Sequence, residues 1–246
     1  MRILISFLLL AALPAHAQDP GPFASFDLAS EPVLADPHDL AIGPDGRLYV
    51  ADKFGGRIAV FDPDTLELIE MLAEGMLPGV HDISFGPGGK VAVAVTGASA
   101  VALYDSLDAL AAPPASGVAA PRTEGALLHS SGDLYAMASG IGTLARFRDG
   151  DLLGAVEGHP GAHDVAEAPD GTIWVADNFN RRLVNYSVEL ETIQTINAAK
   201  FGFQGPRYLD VTEFGYLVVA DQDAHRILLI DPYGPDGGAL LGVLGD

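Results

Sequence analysis

The chain contains no cysteine. Disulfide staples, thiolate metal sites and thiol nucleophiles are therefore excluded. Cations are also scarce: 13 Lys and Arg stand against 33 Asp and Glu, a formal net charge of −20. A surface of that sign repels nucleic-acid phosphates and anionic membranes, so no nucleic-acid partner is expected. After the first seventeen residues no apolar run reaches spanning length, and no membrane insertion is expected. Helical periodicity is missing from the same region. What fills it is short stretches of Val, Ile, Leu, Tyr and Phe between glycine turns, which reads as all-β.

The first seventeen residues have their own pattern. Arg2 precedes an apolar run from Ile3 to Leu13, and Ala15-His16-Ala17 fits a small-residue cleavage site. That is a secretory signal peptide. One domain over 18–246 is expected to follow, periplasmic or secreted, and monomeric. Export without disulfides suits a bacterial periplasm.

Within that domain one sentence recurs. Pro37-His-Asp-Leu-Ala-Ile-Gly-Pro-Asp-Gly-Arg-Leu-Tyr-Val-Ala-Asp52 returns as His163-Asp-Val-Ala-Glu-Ala-Pro-Asp-Gly-Thr-Ile-Trp-Val-Ala-Asp177, and its first half returns at His81–Gly89. A period near 43 residues, built from short strands and turns, is the pattern of a propeller-type array. Five four-stranded repeats are visible. Strands are expected near 38–43, 47–52, 57–62 and 67–73; 80–85, 90–95, 100–104 and 107–112; 125–130, 133–138, 143–148 and 152–157; 162–167, 172–177, 182–187 and 191–196; 206–211, 216–221, 226–231 and 239–243. A lone strand over 23–29 would complete the last blade. With it the count is 21, which reads as a six-bladed archetype lacking most of one blade. Without the strand at 107–112, which runs into an Ala/Pro-rich loop, the count is 20 and five blades are possible.

Three copies carry Leu48-Tyr-Val-Ala-Asp52 with Arg57-Ile58, Ile173-Trp-Val-Ala-Asp177 with Arg182-Leu183, and Leu217-Val-Val-Ala-Asp221 with Arg226-Ile227. This pattern resembles the NHL repeat, whose fold is a β-propeller. The Asp and Arg stand five apart across the second turn of each repeat and are expected to tie it with charge-assisted hydrogen bonds.

Alignment on the first-turn glycines, Gly46, Gly89, Gly132, Gly171 and Gly215, places His38, His81, Glu124, His163 and Arg207 at one position. It opens the innermost strand, so these five should ring one mouth of the channel. Three imidazoles and a carboxylate suit a divalent ion such as Zn2+. The same residues could instead pack at blade entrances as inherited copies. Asp39, Asp82 and Asp164 follow the three histidines and are expected to bond backbone N–H groups of a neighbouring blade. Phe54, Asn178, Phe179, Asn180 and His225 fall on turns of the mouth face, where they could contact a ligand, with ordinary hairpin chemistry the plainer role for each. Ser130-Ser131 beside His129 lacks the strand-to-helix elbow of a nucleophilic serine.

Pro37-His38-Asp39 and its copies are also similar to the strand starts of the peptidyl-hydroxyglycine amidating lyases, zinc-dependent NHL propellers. That resemblance implies His38, His81 and His163 as zinc ligands, although here they come from repeats one, two and four rather than alternate blades. Two functions follow. One is a platform that binds a small-molecule or protein ligand at the channel mouth. The other is a metal-dependent enzyme, amidating-lyase-like or lactonase-like, with Glu124 as ligand or base and Arg207 orienting an anionic group.

Overall fold

In each repeat a glycine with positive φ closes the first turn: Gly46 (81°), Gly89 (80°), Gly132 (87°), Gly171 (79°) and Gly215 (80°). Only glycine adopts this conformation without steric cost. The computed structural model describes residues 21–245, and the segment read as a signal peptide lies outside them. The turns separate twenty antiparallel strands in five four-stranded sheets. Blade 1 holds β1 (Pro37–Ile42), β2 (Leu48–Asp52), β3 (Arg57–Phe61) and β4 (Leu68–Leu72). Blade 2 holds β5 (Val80–Phe85), β6 (Val91–Val95), β7 (Ala100–Tyr104) and β8 (Ser116–Ala119). Blade 3 holds β9 (Thr123–Leu128), β10 (Leu134–Ala138), β11 (Thr143–Arg148) and β12 (Asp151–Glu157). Blade 4 holds β13 (Asp164–Glu167), β14 (Ile173–Asp177), β15 (Arg182–Tyr186) and β16 (Thr192–Asn197). Blade 5 holds β17 (Pro206–Val211), β18 (Leu217–Asp221), β19 (Arg226–Asp231) and β20 (Ala239–Gly245).

Two expectations are corrected. Residues 107–112 form no strand: Leu107–Ala111 is a 3₁₀ turn with Leu110 buried, and the fourth strand of blade 2 comes later, at β8. The prolines of the connecting stretch delay it, because proline cannot donate to a ladder. Residues 23–29 also form no strand. Its start touches β20, where the Val243 N–H reaches the carbonyl of the preceding Gly21 at 3.5 Å and Phe23 lies against Gly242. It then crosses to blade 1, where Val33 and Leu34 pack against Val50, Ala59 and Phe61. One helical turn not foreseen, α1 (Ala198–Phe201), follows β16.

The core is a set of blade-on-blade seams. Tyr49, Ile58 and Val60 of blade 1 meet Ile83, Val91 and Val93 of blade 2. Three further clusters join blades 2 to 3, 3 to 4 and 4 to 5. Each buried aliphatic side chain contributes about 1.5–3 kcal/mol, so these four seams supply most of the stability. The strand-one aspartates stitch the same seams, as expected. Asp82 accepts the Ala126 N–H at 2.5 Å and Asp164 the Leu209 N–H at 2.8 Å.

The boundary between blades 5 and 1 is different. Position-equivalent residues Ile83, Ala126, Val165 and Leu209 are 2, 1, 4 and 5% exposed, whereas Leu40 of blade 1 is 62% exposed. A cleft of about 350 Å³ opens there between Pro37, Leu40 and Val50 on one side and Tyr208 and Ala220 on the other. At the mouth it is bridged by His38 Nδ1 and the Tyr208 hydroxyl, 2.8 Å apart.

Candidate functional site

Four of the five inner strands start with a local irregularity, and ring residues stand at it. In β1 the pairing steps from Pro37 to Asp39 against consecutive partners, so His38 is a bulge. His81, Glu124 and Arg207 occupy the same bulge in β5, β9 and β17, and His163 stands immediately before β13. A bulge residue is released from the ladder and re-aimed. Here it is re-aimed into the mouth.

The five residues expected to ring the channel gather there, though not around one point. His163 Nε2 lies 2.7 Å from Glu124 Oε2, and His81 Nε2 lies 3.9 Å from Glu124 Oε1. The rings of His38 and His81 meet edge to face at 4.4 Å. Arg207 stacks on the Tyr208 ring, and its Nη1 donates to Gln222 at 3.0 Å. Its buried Nε has no partner among the described residues.

Hydrogen bonds fix the tautomers. His163 Nδ1 is 2.6 Å from the Gly161 carbonyl, which can only accept, so that nitrogen carries a proton. His81 Nδ1 likewise donates to the Gly79 carbonyl, 3.0 Å away, and to Thr96 Oγ1, whose own proton goes to the Thr123 carbonyl. Both imidazoles therefore turn Nε2 toward Glu124. Burial pushes the His81 pKa down, so its Nε2 is a free lone pair near neutrality. Burial would raise the pKa of Glu124, but its bond to His163 overrides this and holds the carboxyl below its usual range. Glu124 is thus ionised.

His38 is used otherwise. Its Nδ1 faces Tyr208, and its Nε2 lies 3.2 Å from Asp36 and 3.3 Å from Lys53 Nζ. Burial first, then the Lys53 charge, lower its pKa. Among the described residues no three His, Asp or Glu side chains converge as a metal-ligand set. By donor chemistry His81, His163 and Glu124 fit a divalent ion, because each imidazole is oriented by a carbonyl as metal-bound histidines are. His38 does not fit, since both its nitrogens are engaged and a lysine ammonium lies beside one of them.

Beside the ring, between the hairpin tips of blades 3 and 4, lies a cavity of about 730 Å³. Glu124, His163 and Arg207 line it, with Ile141, Asn178 and Phe179. The Asp–Arg pairs of the repeats hold the neighbouring hairpins: Asp52–Arg57 at 2.9 Å, Asp177–Arg182 at 2.6 Å and Asp221–Arg226 at 2.8 Å. Asn180 also serves the hairpin, donating to Asp177 at 2.9 Å. The sequence carried no signal for the bulges, for Ile141, or for the part played by Tyr208.

Residues 34–61 match the family model of the NHL repeat. The chain carries an NHL repeat. A search of curated proteins returns no match. Among solved structures, virginiamycin B lyase from Staphylococcus aureus superposes on this propeller with a TM-score of 0.65 at 13% identity, over 83% of this chain and 69% of its own. A catalytically inactive His-to-Ala variant of that lyase, solved with quinupristin, gives 0.66 at 12% identity, over 86% and 71%. A 6-phosphogluconolactonase-like protein from Bacteroides fragilis gives 0.60 at 17%, over 86% and 73%. At these identities the likeness establishes the propeller fold.

Proposed function

We propose that this NHL propeller is an exported protein that binds a small ligand at its channel mouth. The observation that carries the reading is the set of bulges. Four blades deliver a polar side chain released from the ladder, and blade 4 adds His163 from just ahead of its inner strand, to one place beside a cavity of ligand size. The leader pattern from Arg2 to Ala17 supports export. The test is a fragment library screened by thermal shift against residues 18–246. Hits that vanish in Glu124→Gln and His163→Ala support the mouth. Hits indifferent to both variants would sink it.

A second reading is favoured by the orientation of His81 and His163. In this reading the mouth is a metal-dependent lyase- or lactonase-type site, with His81, His163 and Glu124 holding the ion and Arg207 orienting an anionic group. Such an ion would supply Lewis-acid polarisation of a substrate oxygen. The relatives support an enzyme by analogy, since one is a lyase inactivated by loss of a histidine. Elemental analysis of chelator-free protein decides: about one ion per chain, lost in His163→Ala, supports this reading. A folded chain that takes up no zinc removes it.

A further inference from the structure

The cavity beside the ring is lined by one amide and two guanidiniums. Asn178 is 7% exposed, and its side-chain amide makes no hydrogen bond among the described residues. Arg207 reaches Gln222 through Nη1, and Arg122 stands 3.8 Å from Glu124 Oε1. Buried amides are nearly always paired, so the one at Asn178 points to a missing partner. An amide and a guanidinium together present planar donors, which match a carboxylate.

The rim is apolar. Ile141 and Phe179, on the facing hairpins of blades 3 and 4, are 62 and 71% exposed. Phe179 lies so close on the Gly161 backbone that a Cβ there would come within 2.6 Å of the ring. The ring therefore rests one face on that backbone and leaves the other open.

Resting on the reading that the mouth binds a small ligand, we infer that this cavity takes a small organic monocarboxylate bearing an aromatic or branched aliphatic group. Arg207 and Asn178 hold the carboxylate, and Phe179 with Ile141 covers the apolar group. The charged side chains of the lining, Arg122 and Arg207 against Glu124, select a single negative charge. The molecule carries 33 acidic against 13 basic side chains, so its field resists a phosphate dianion. Glu124, lining the same cavity, adds to that resistance.

The test is calorimetric titration of residues 18–246 with 3-phenylpropanoate, 4-methylpentanoate, 3-phenylpropanamide and inorganic phosphate. Both carboxylates should bind, with the amide and phosphate weaker by about ten-fold or more. Arg207→Gln and Asn178→Ala should each cost about ten-fold for the carboxylates. Phe179→Ser, at an exposed position that does not threaten the fold, should weaken 3-phenylpropanoate without restoring phosphate. Equal binding of the amide, tighter binding of phosphate, or variants indistinguishable from the parent would overturn the inference. Library hits at the mouth that are never carboxylates would overturn the ligand class while leaving the mouth as the binding site. A mouth without any hits would remove both.

Discussion

At the scale of single residues, the molecule uses one side-chain type for two opposed tasks. Asp52, Asp177 and Asp221 are fully buried at the hairpins, each paired with an arginine. Asp177 shows how: burial alone would raise its pKa, but bonds from His159, Asn180 and Arg182 hold it below the usual range. Removing that carboxylate strands an imidazole, an amide and a guanidinium, so Asp177→Ala should destabilise the chain by about 3 kcal/mol in urea unfolding. Asp177→Asn, which keeps an acceptor, should cost less. The five-residue Asp–Arg spacing made this clasp legible in the sequence. The partners of Asn178 and Arg207 were not legible, because spacing shows which residues share a turn and not which of their atoms stay unbonded.

At the scale of strands, edges and seams decide what a substitution costs. Ile83 and Leu40 hold the same position in successive blades, one buried and the other on the open boundary. Ile83→Asp should unfold the chain or lower its Tm by about 10 °C or more, whereas Leu40→Asp should move it by about 2 °C or less. Equal effects would mean that the boundary is closed in solution. Outer strands are managed by bulges as well. The ladder skips Ile69 in β4, Leu153 in β12, Ile193 in β16 and Leu241 in β20, which bends those edges and blunts them against further pairing. Strand positions were readable to within a residue or two wherever the turn glycine stood in place. The reading failed at 107–112 and at 23–29, where apolar residues occur without a ladder partner. Pairing is a non-local property, and local pattern does not contain it.

At the scale of the whole molecule, the channel stores protons. Asp39, Asp82 and Asp164 line a central cavity of about 460 Å³. Burial first, then the neighbouring carboxylates, raise the pKa of Asp82 to about 7 and of Asp164 to about 8, from an ordinary 3.8. Asp39 is raised for the same reasons and shares a hydrogen bond with Asp82, which requires a proton between them. Carboxyls with raised folded pKa values contribute stability that is complete below pH 3.8 and is lost as pH climbs through 7 and 8. Asp52, Asp133 and Asp177 have lowered values, so their contribution fades only as pH falls below that same ordinary value. The chain should therefore be most stable in mild acid, and its Tm should fall by about 5 °C or more between pH 5 and pH 8. Asp164→Asn should flatten that slope, and a Tm that rises toward pH 8 would refute the account. The number of blades was legible only as a count of repeats, since the angle between blades depends on how their faces pack. That packing leaves blades 5 and 1 joined at the mouth by one hydrogen bond between His38 and Tyr208. A ring so joined behaves as a split washer. Its bore is set by the spring of four full contacts and one light latch, so a wedge at the slit would re-space groups on the far side of the hole that it never touches.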